Sequence, residues 1–101
     1  MQGNLPARVW RDICRFAKKH EIEKVILFGS RARGTNTERS DIDIAVSGGD
    51  FDGFYFDAME KTHSLLMFDI INLNEPISGE LLAELKKDGI VIYEKAREFC
   101  Q

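Results

Sequence analysis

Lys24-Val25-Ile26-Leu27-Phe28-Gly29-Ser30-Arg31-Ala32-Arg33-Gly34-Thr35-Asn36-Thr37-Glu38-Arg39-Ser40-Asp41-Ile42-Asp43-Ile44-Ala45-Val46 contains two changes of character that decide the fold. Lys24 to Phe28 is a short apolar, β-branched run cut off by Gly29-Ser30, which reads as a buried strand followed by a tight turn. Gly29 to Ser40 is too polar for a core and too rich in Gly, Asn, Thr and Ser for a long helix, although a helical turn can begin at Ser30. From Asp41 the pattern has period two. Asp41 and Asp43 share one face of a second strand, and Ile42, Ile44 and Val46 share the other.

Working outward, Leu5, Val9, Trp10, Ile13, Phe16 and Ala17 follow helical spacing over Asn4 to about His20, with Pro6 early, where its missing N–H does no harm. After the turn Ser47-Gly48-Gly49-Asp50, the spacing of Phe51, Phe54, Tyr55, Ala58, Met59, Thr62 and Leu66 predicts a second long helix. Phe68 to Leu73 reads as a third strand. Ser78 can cap a helix carrying Leu81, Leu82 and Leu85, with Glu80 and Glu84 near its start and Lys86-Lys87-Asp88-Gly89 ending it. Ile90 to Tyr93 is a fourth strand. The expectation is an α/β (α+β) domain: a small mixed sheet of about four strands with helices packed mainly on one face, and residues 1–101 forming a single domain.

The chain has 101 residues, with 14 Lys and Arg against 17 Asp and Glu, a net charge of −3. With 44% hydrophobic and 31% charged residues it falls in the ordinary range for a globular domain. One core fits in this length, so a deep two-walled cleft calls for a partner subunit. No apolar run approaches the roughly 20 residues of a membrane span, and no secretory signal opens the chain, so a cytoplasmic location is expected. The acidic balance argues against direct nucleic-acid binding, which draws its affinity from lysine and arginine. Cys14 and Cys100 lack CxxC spacing and are expected as reduced thiols.

Three features carry chemistry together: Gly29-Ser30 after a buried strand, Asp41-x-Asp43 opening the next, and Asp69 within Leu66-Met67-Phe68-Asp69-Ile70-Ile71. Each alone has a plainer reading: Ser30 as a helix cap, the Asp pair as water-facing, Asp69 as pointing outward from a sheet edge. An ionised Asp69 inside a buried strand, however, costs several kcal/mol unless paired or metal-bound. If the second and third strands are neighbours, the three carboxylates converge, and mutual repulsion calls for a cation. Hard oxygen donors suit Mg²⁺ or Mn²⁺, and no Cys/His arrangement supports zinc. Gly29 lets the backbone approach a phosphate, Ser30 adds a hydroxyl and an N–H, and Arg31, Arg33 and Arg39 can add positive charge unless they simply face solvent.

Phe28-Gly29-Ser30-Arg31-Ala32-Arg33-Gly34 with Ser40-Asp41-Ile42-Asp43 and a strand-borne Asp69 resembles the minimal nucleotidyltransferases (MNT) of the polymerase-beta nucleotidyltransferase superfamily. The resemblance implies a polymerase-beta-like nucleotidyltransferase fold, with Asp41 and Asp43 holding two Mg²⁺ (or Mn²⁺) ions. Asp69 would bind the ion that activates the acceptor hydroxyl and help remove its proton. Gly29 and Ser30, with Arg31 and Arg33, would bind ATP or another NTP. It further implies an antitoxin-type subunit that joins a HEPN-domain partner in a hetero-oligomer and transfers AMP to a hydroxyl of that protein. Two other readings stay open: a masking subunit that neutralises its partner by binding alone, and an antibiotic nucleotidyltransferase, for which the chain is short. His20 and His63 lie away from the carboxylates in sequence. Asp50, Asp52 and Asp57 lack EF-hand spacing and read as turn and helix-start residues, while Phe51, Phe54, Tyr55 and Phe56 serve the core or a partner surface.

Overall fold

The computed structural model describes residues 4–62 and 66–95. Its elements run α1 (Ala7–Lys19), β1 (Lys24–Phe28), α2 (Ser30–Arg33), β2 (Ile42–Ser47), α3 (Phe51–Lys61), β3 (Phe68–Asn72), α4 (Gly79–Asp88) and β4 (Ile90–Glu94). The strands form one mixed sheet in the order β3-β2-β1-β4. β1 is antiparallel to both of its neighbours, and β2 and β3 are parallel. A parallel pair needs a crossover, which α3 supplies. This is the expected α/β architecture, with the polar turn after Gly29 closing into the single helical turn α2.

Strand alternation divides the core in two. Val25 and Leu27 of β1, with Ile42, Ile44 and Val46 of β2, point to the face covered by α1 and α3, and meet Val9, Ile13, Ala17, Phe54 and Ala58 there. Ile26, Phe28 and Ala45 point to the other face, where Leu81 and Leu85 of α4 cover them together with Ile71 and Ile77. Two of the three long helices therefore lie on one face, and α4 covers part of the other. Ser78 caps α4 by accepting from the Leu81 N–H at 3.1 Å.

Two expectations about the second half need correction. α3 ends at Lys61, so Thr62, which is already extended, and Leu66 lie outside it rather than on the expected helix. β3 occupies a sheet edge with Asp69 exposed and Phe68, Ile70 and Ile71 half-buried, so it is not the buried strand assumed above. Cys14 is disulfide-bonded rather than reduced. Cys100 and His63 lie outside the described residues. Among the described residues no helix is long and apolar enough to cross a membrane.

At the end of the sheet away from Gly29, Asp57 is no helix-start residue but the centre of a buried ionic cluster. Its carboxylate accepts from His20 Nε2 at 2.7 Å and lies 3.2 Å from Lys19 Nζ and 3.1 Å from Lys61 Nζ. Asp50 caps α3 through the Gly53 N–H and stands 3.5 Å from His20 Nδ1, so α1 and α3 are joined through the imidazole. The His20 hydrogen bond, with the two lysines, holds the Asp57 carboxyl far below the ordinary carboxylate range against the opposing effect of its burial. A depressed folded pKa contributes stability above the ordinary value near 4, and this contribution is lost as pH falls below it. Asp57→Asn is thus expected to lower the melting temperature at pH 7 and to flatten its fall between about pH 4 and pH 2, as followed by circular dichroism.

Candidate active site

Gly29 leaves β1 with φ of +74° and ψ of −156°, a conformation that side-chain-bearing residues rarely adopt. A Cβ at this position would also collide with Asp43 Oδ2. Glycine is required here on both counts. The antiparallel register sets Phe28 opposite Asp43, so the carboxylate of Asp43 stands directly over the turn into Ser30. Ser30 starts α2, whose Ala32 and Arg33 N–H groups both donate to the Gly29 carbonyl at 3.1 Å.

The parallel register sets Asp43 beside Asp69, on the face that carries Ala45 and Ile71. Neighbouring strands lie about 4.8 Å apart, so two carboxylates in register on one face are close neighbours. Asp41 is two residues before Asp43 and exposed at the same end of β2. The three carboxylates singled out in the sequence therefore gather at one corner of the sheet. The register of the edge strand brings Asp69 there, and no burial penalty is involved.

The Asp43 carboxyl is pushed above its ordinary value, first by burial and then by the negative charge of Asp69, Asp41 and Glu84, with Arg33 acting in the opposite direction. Glu84, in the middle of α4 rather than near its start, is a fourth carboxylate beside the three. Its proximity follows from α4 packing over Phe28 and Ala45, which no local pattern encodes. Arg33 Nη1 donates to Glu84 Oε2 at 3.5 Å, with both side chains about two-fifths exposed, so the guanidinium is only loosely held beside the cluster.

Arg31 differs from the nucleotide-binding role expected of its side chain. It is 2% exposed, and its guanidinium donates to the carbonyls of Asn4, Ser40, Glu38 and Thr37, so its donors are spent inside the protein. Arg39 is exposed on the following loop.

The donor chemistry of this corner fits a hard divalent cation. All the donors are carboxylate oxygens, they crowd one another enough to raise Asp43, and a glycine cradle holds space against Asp43 Oδ2. A preformed cage is absent: no three His, Cys, Asp or Glu side chains among the described residues stand together as metal ligands. Asp41 and Asp69 are exposed, so rotation of their side chains toward Asp43 meets little packing.

Residues 11–98 match the family described as polymerase beta, nucleotidyltransferase. The chain belongs to this family of nucleotidyltransferases. A relative in Methanocaldococcus jannaschii, named "Putative protein adenylyltransferase MJ0604", is 44% identical over 66 residues, which make up 64% of this chain and 62% of the relative. Among solved structures, a toxin-antitoxin with AMP-PNP superposes with a TM-score of 0.67 at 23% identity, over 87% of this chain and 75% of that one. A variant of the toxin-antitoxin MntA-HpeT gives 0.66 at 21% identity with the same coverage. At such identities the likeness to these structures is one of fold.

Opposite stability effects are expected on the two sides of the Gly29–Asp43 contact. Gly29→Ala should destabilise the chain by about 1–3 kcal/mol through the positive φ and the collision. Asp43→Asn should raise the melting temperature of the metal-free chain at pH 7. A carboxyl whose folded pKa is raised costs stability as pH rises from its ordinary value through the raised one, and asparagine removes that cost. Thermal melts of both variants at pH 4 and pH 7 in EDTA check the pair.

Proposed function

We propose that the chain transfers a nucleoside monophosphate, AMP from ATP in the first instance, to a hydroxyl group of a partner protein in a Mg²⁺-dependent reaction. The single observation that carries this reading is the registered Asp43–Asp69 pair, with Asp41 beside it, standing over the Gly29-Ser30 turn. The family supports nucleotidyl transfer, and the name of the M. jannaschii relative supports a protein acceptor.

Asp41 and Asp43 would hold two divalent ions, with Asp69 a ligand of the one nearer the acceptor. Bound there, the ions supply charge neutralisation at the α-phosphate and on the departing pyrophosphate. Ser30 offers its hydroxyl and N–H to the triphosphate, and Gly29 lets the backbone approach it. Arg33, weakly paired with Glu84, can exchange that carboxylate for a phosphate oxygen. The acceptor oxygen attacks the α-phosphorus, forming a phosphoester as the bond to the β-phosphate breaks and pyrophosphate leaves with the electron pair. The hydroxyl proton passes to the exposed Asp69 carboxylate and on to water.

The toxin-antitoxin neighbours support an antitoxin role, and a HEPN-domain protein is the proposed partner and acceptor. Tyr55 (42%), Phe56 (60%) and Met59 (40%) on α3, with Met67 (65%) before β3, are exposed enough to favour a partner-binding face. That face also supports the alternative, in which the chain neutralises the partner by contact alone.

Intact-mass measurement on the chain co-purified with its partner, after incubation with ATP and Mg²⁺, separates the two. The expected result is one or more AMP increments on the partner. Asp41→Asn/Asp43→Asn should reduce them by at least about 100-fold while the complex survives. A stable complex that gains no mass, with neutralisation retained by the double variant, would favour masking.

A further inference from the structure

Arg31 carries a charge into the interior with no carboxylate paired to it among the described residues. A buried cation is tolerable only when hydrogen bonds replace its hydration, and the planar guanidinium, with five donors in fixed directions, suits several carbonyls at once. Nε donates to the Ser40 carbonyl at 3.1 Å, and Nη2 to those of Glu38 at 3.1 Å and Thr37 at 3.5 Å. Nη1 donates to Asn4 at 2.9 Å, and the Asn4 N–H returns a bond of 2.8 Å to the Arg31 carbonyl. The Ser40 carbonyl belongs to the same rigid peptide plane as the Asp41 nitrogen. Arg31 itself follows Ser30 directly in the turn that begins at Gly29. One side chain thus spans from the glycine-serine turn to the peptide that delivers Asp41.

The loop between them carries exposed bonds of its own, all centred on Thr37: its N–H donates to Ser40 Oγ at 2.9 Å, its Oγ1 accepts from the Arg39 N–H at 3.3 Å, and its carbonyl accepts from Asn36 Nδ2 at 3.0 Å. The same carbonyl accepts from the Ser40 N–H at 3.2 Å. The Glu38 and Ser40 carbonyls are held by Arg31, each at 3.1 Å.

We propose that Arg31 is the positioning residue of this site: its bonds to the Thr37, Glu38 and Ser40 carbonyls set where Asp41 stands relative to Gly29-Ser30 and Asp43. It touches neither metal nor nucleotide. This rests on the reading of Asp41 and Asp43 as metal ligands. Lysine retains the charge but offers a single ammonium on a flexible stem, which cannot reach carbonyls lying in four directions.

The test uses the full chain without nucleotide, reading Mn²⁺ binding by electron paramagnetic resonance and amide hydrogen exchange at Thr37 and Ser40, at a temperature where thermal melts show the variant folded. Arg31→Lys is expected to weaken Mn²⁺ binding by about 10- to 100-fold, the range for residues that orient metal ligands, and to speed exchange at both amides. A folded Arg31→Lys that binds Mn²⁺ as the wild type does, while Asp43→Asn does not bind it, overturns the inference and leaves the proposed function standing. A wild-type chain that binds no Mn²⁺ overturns both. Linkage supplies a form of the test that needs no variant: if the loop and the ion are coupled, Mn²⁺ must slow exchange at Thr37 and Ser40 in the wild type, and unchanged exchange in the ion-bound chain overturns the proposal.

Discussion

Ile42, Ile44, Ala45 and Val46 of β2 are fully withdrawn from water, the isoleucines and valine on one face and the alanine on the other, and this burial locks the register of the strand. A slip by one residue would carry Asp43 into the layer beneath α1 and α3 and expel three β-branched side chains from it. The energetic penalty of that slip secures both ladders of β2 at once. The antiparallel ladder sets Asp43 over Gly29, and the parallel one sets it beside Asp69. The chemistry at the corner is therefore a by-product of hydrophobic alternation: the apolar half of β2 fixes where its acidic half stands.

β1 and β2 were legible in the sequence almost to the residue, because their signals are local: a β-branched run, a glycine with no alternative, and a period of two. The cap at Ser78 was legible for the same reason. Asp69 was singled out on an incorrect premise, since the strand is half-exposed and it is strand pairing that sets the residue beside Asp43. Asp57 could not be read, because the His20 partner that depresses its pKa lies 37 residues away, just past the end of α1. The three arginines of the polar loop look alike in sequence. Only the folded chain separates one that is buried against carbonyls from one that rests loosely on Glu84 and one that faces water.

The two ends of the sheet treat negative charge in opposite ways. At the far end Asp57 is buried and over-supplied with cations, so it stays ionised and clamps α1 to α3. At the near end Asp43 is crowded by three other carboxylates, with Arg33 acting in the opposite direction. The first arrangement favours the folded chain. The second costs the isolated chain stability, a cost that a bound cation would relieve.

That Asp69 rides on an edge strand has a geometric consequence. Asp43 is flanked by strands on both sides, whereas Asp69 has sheet on one side only. A reacting group can come in sideways, along the plane of the sheet, without descending into a cavity. Such an approach accommodates a hydroxyl mounted on the convex surface of another folded molecule, which a deep pocket would exclude on size alone.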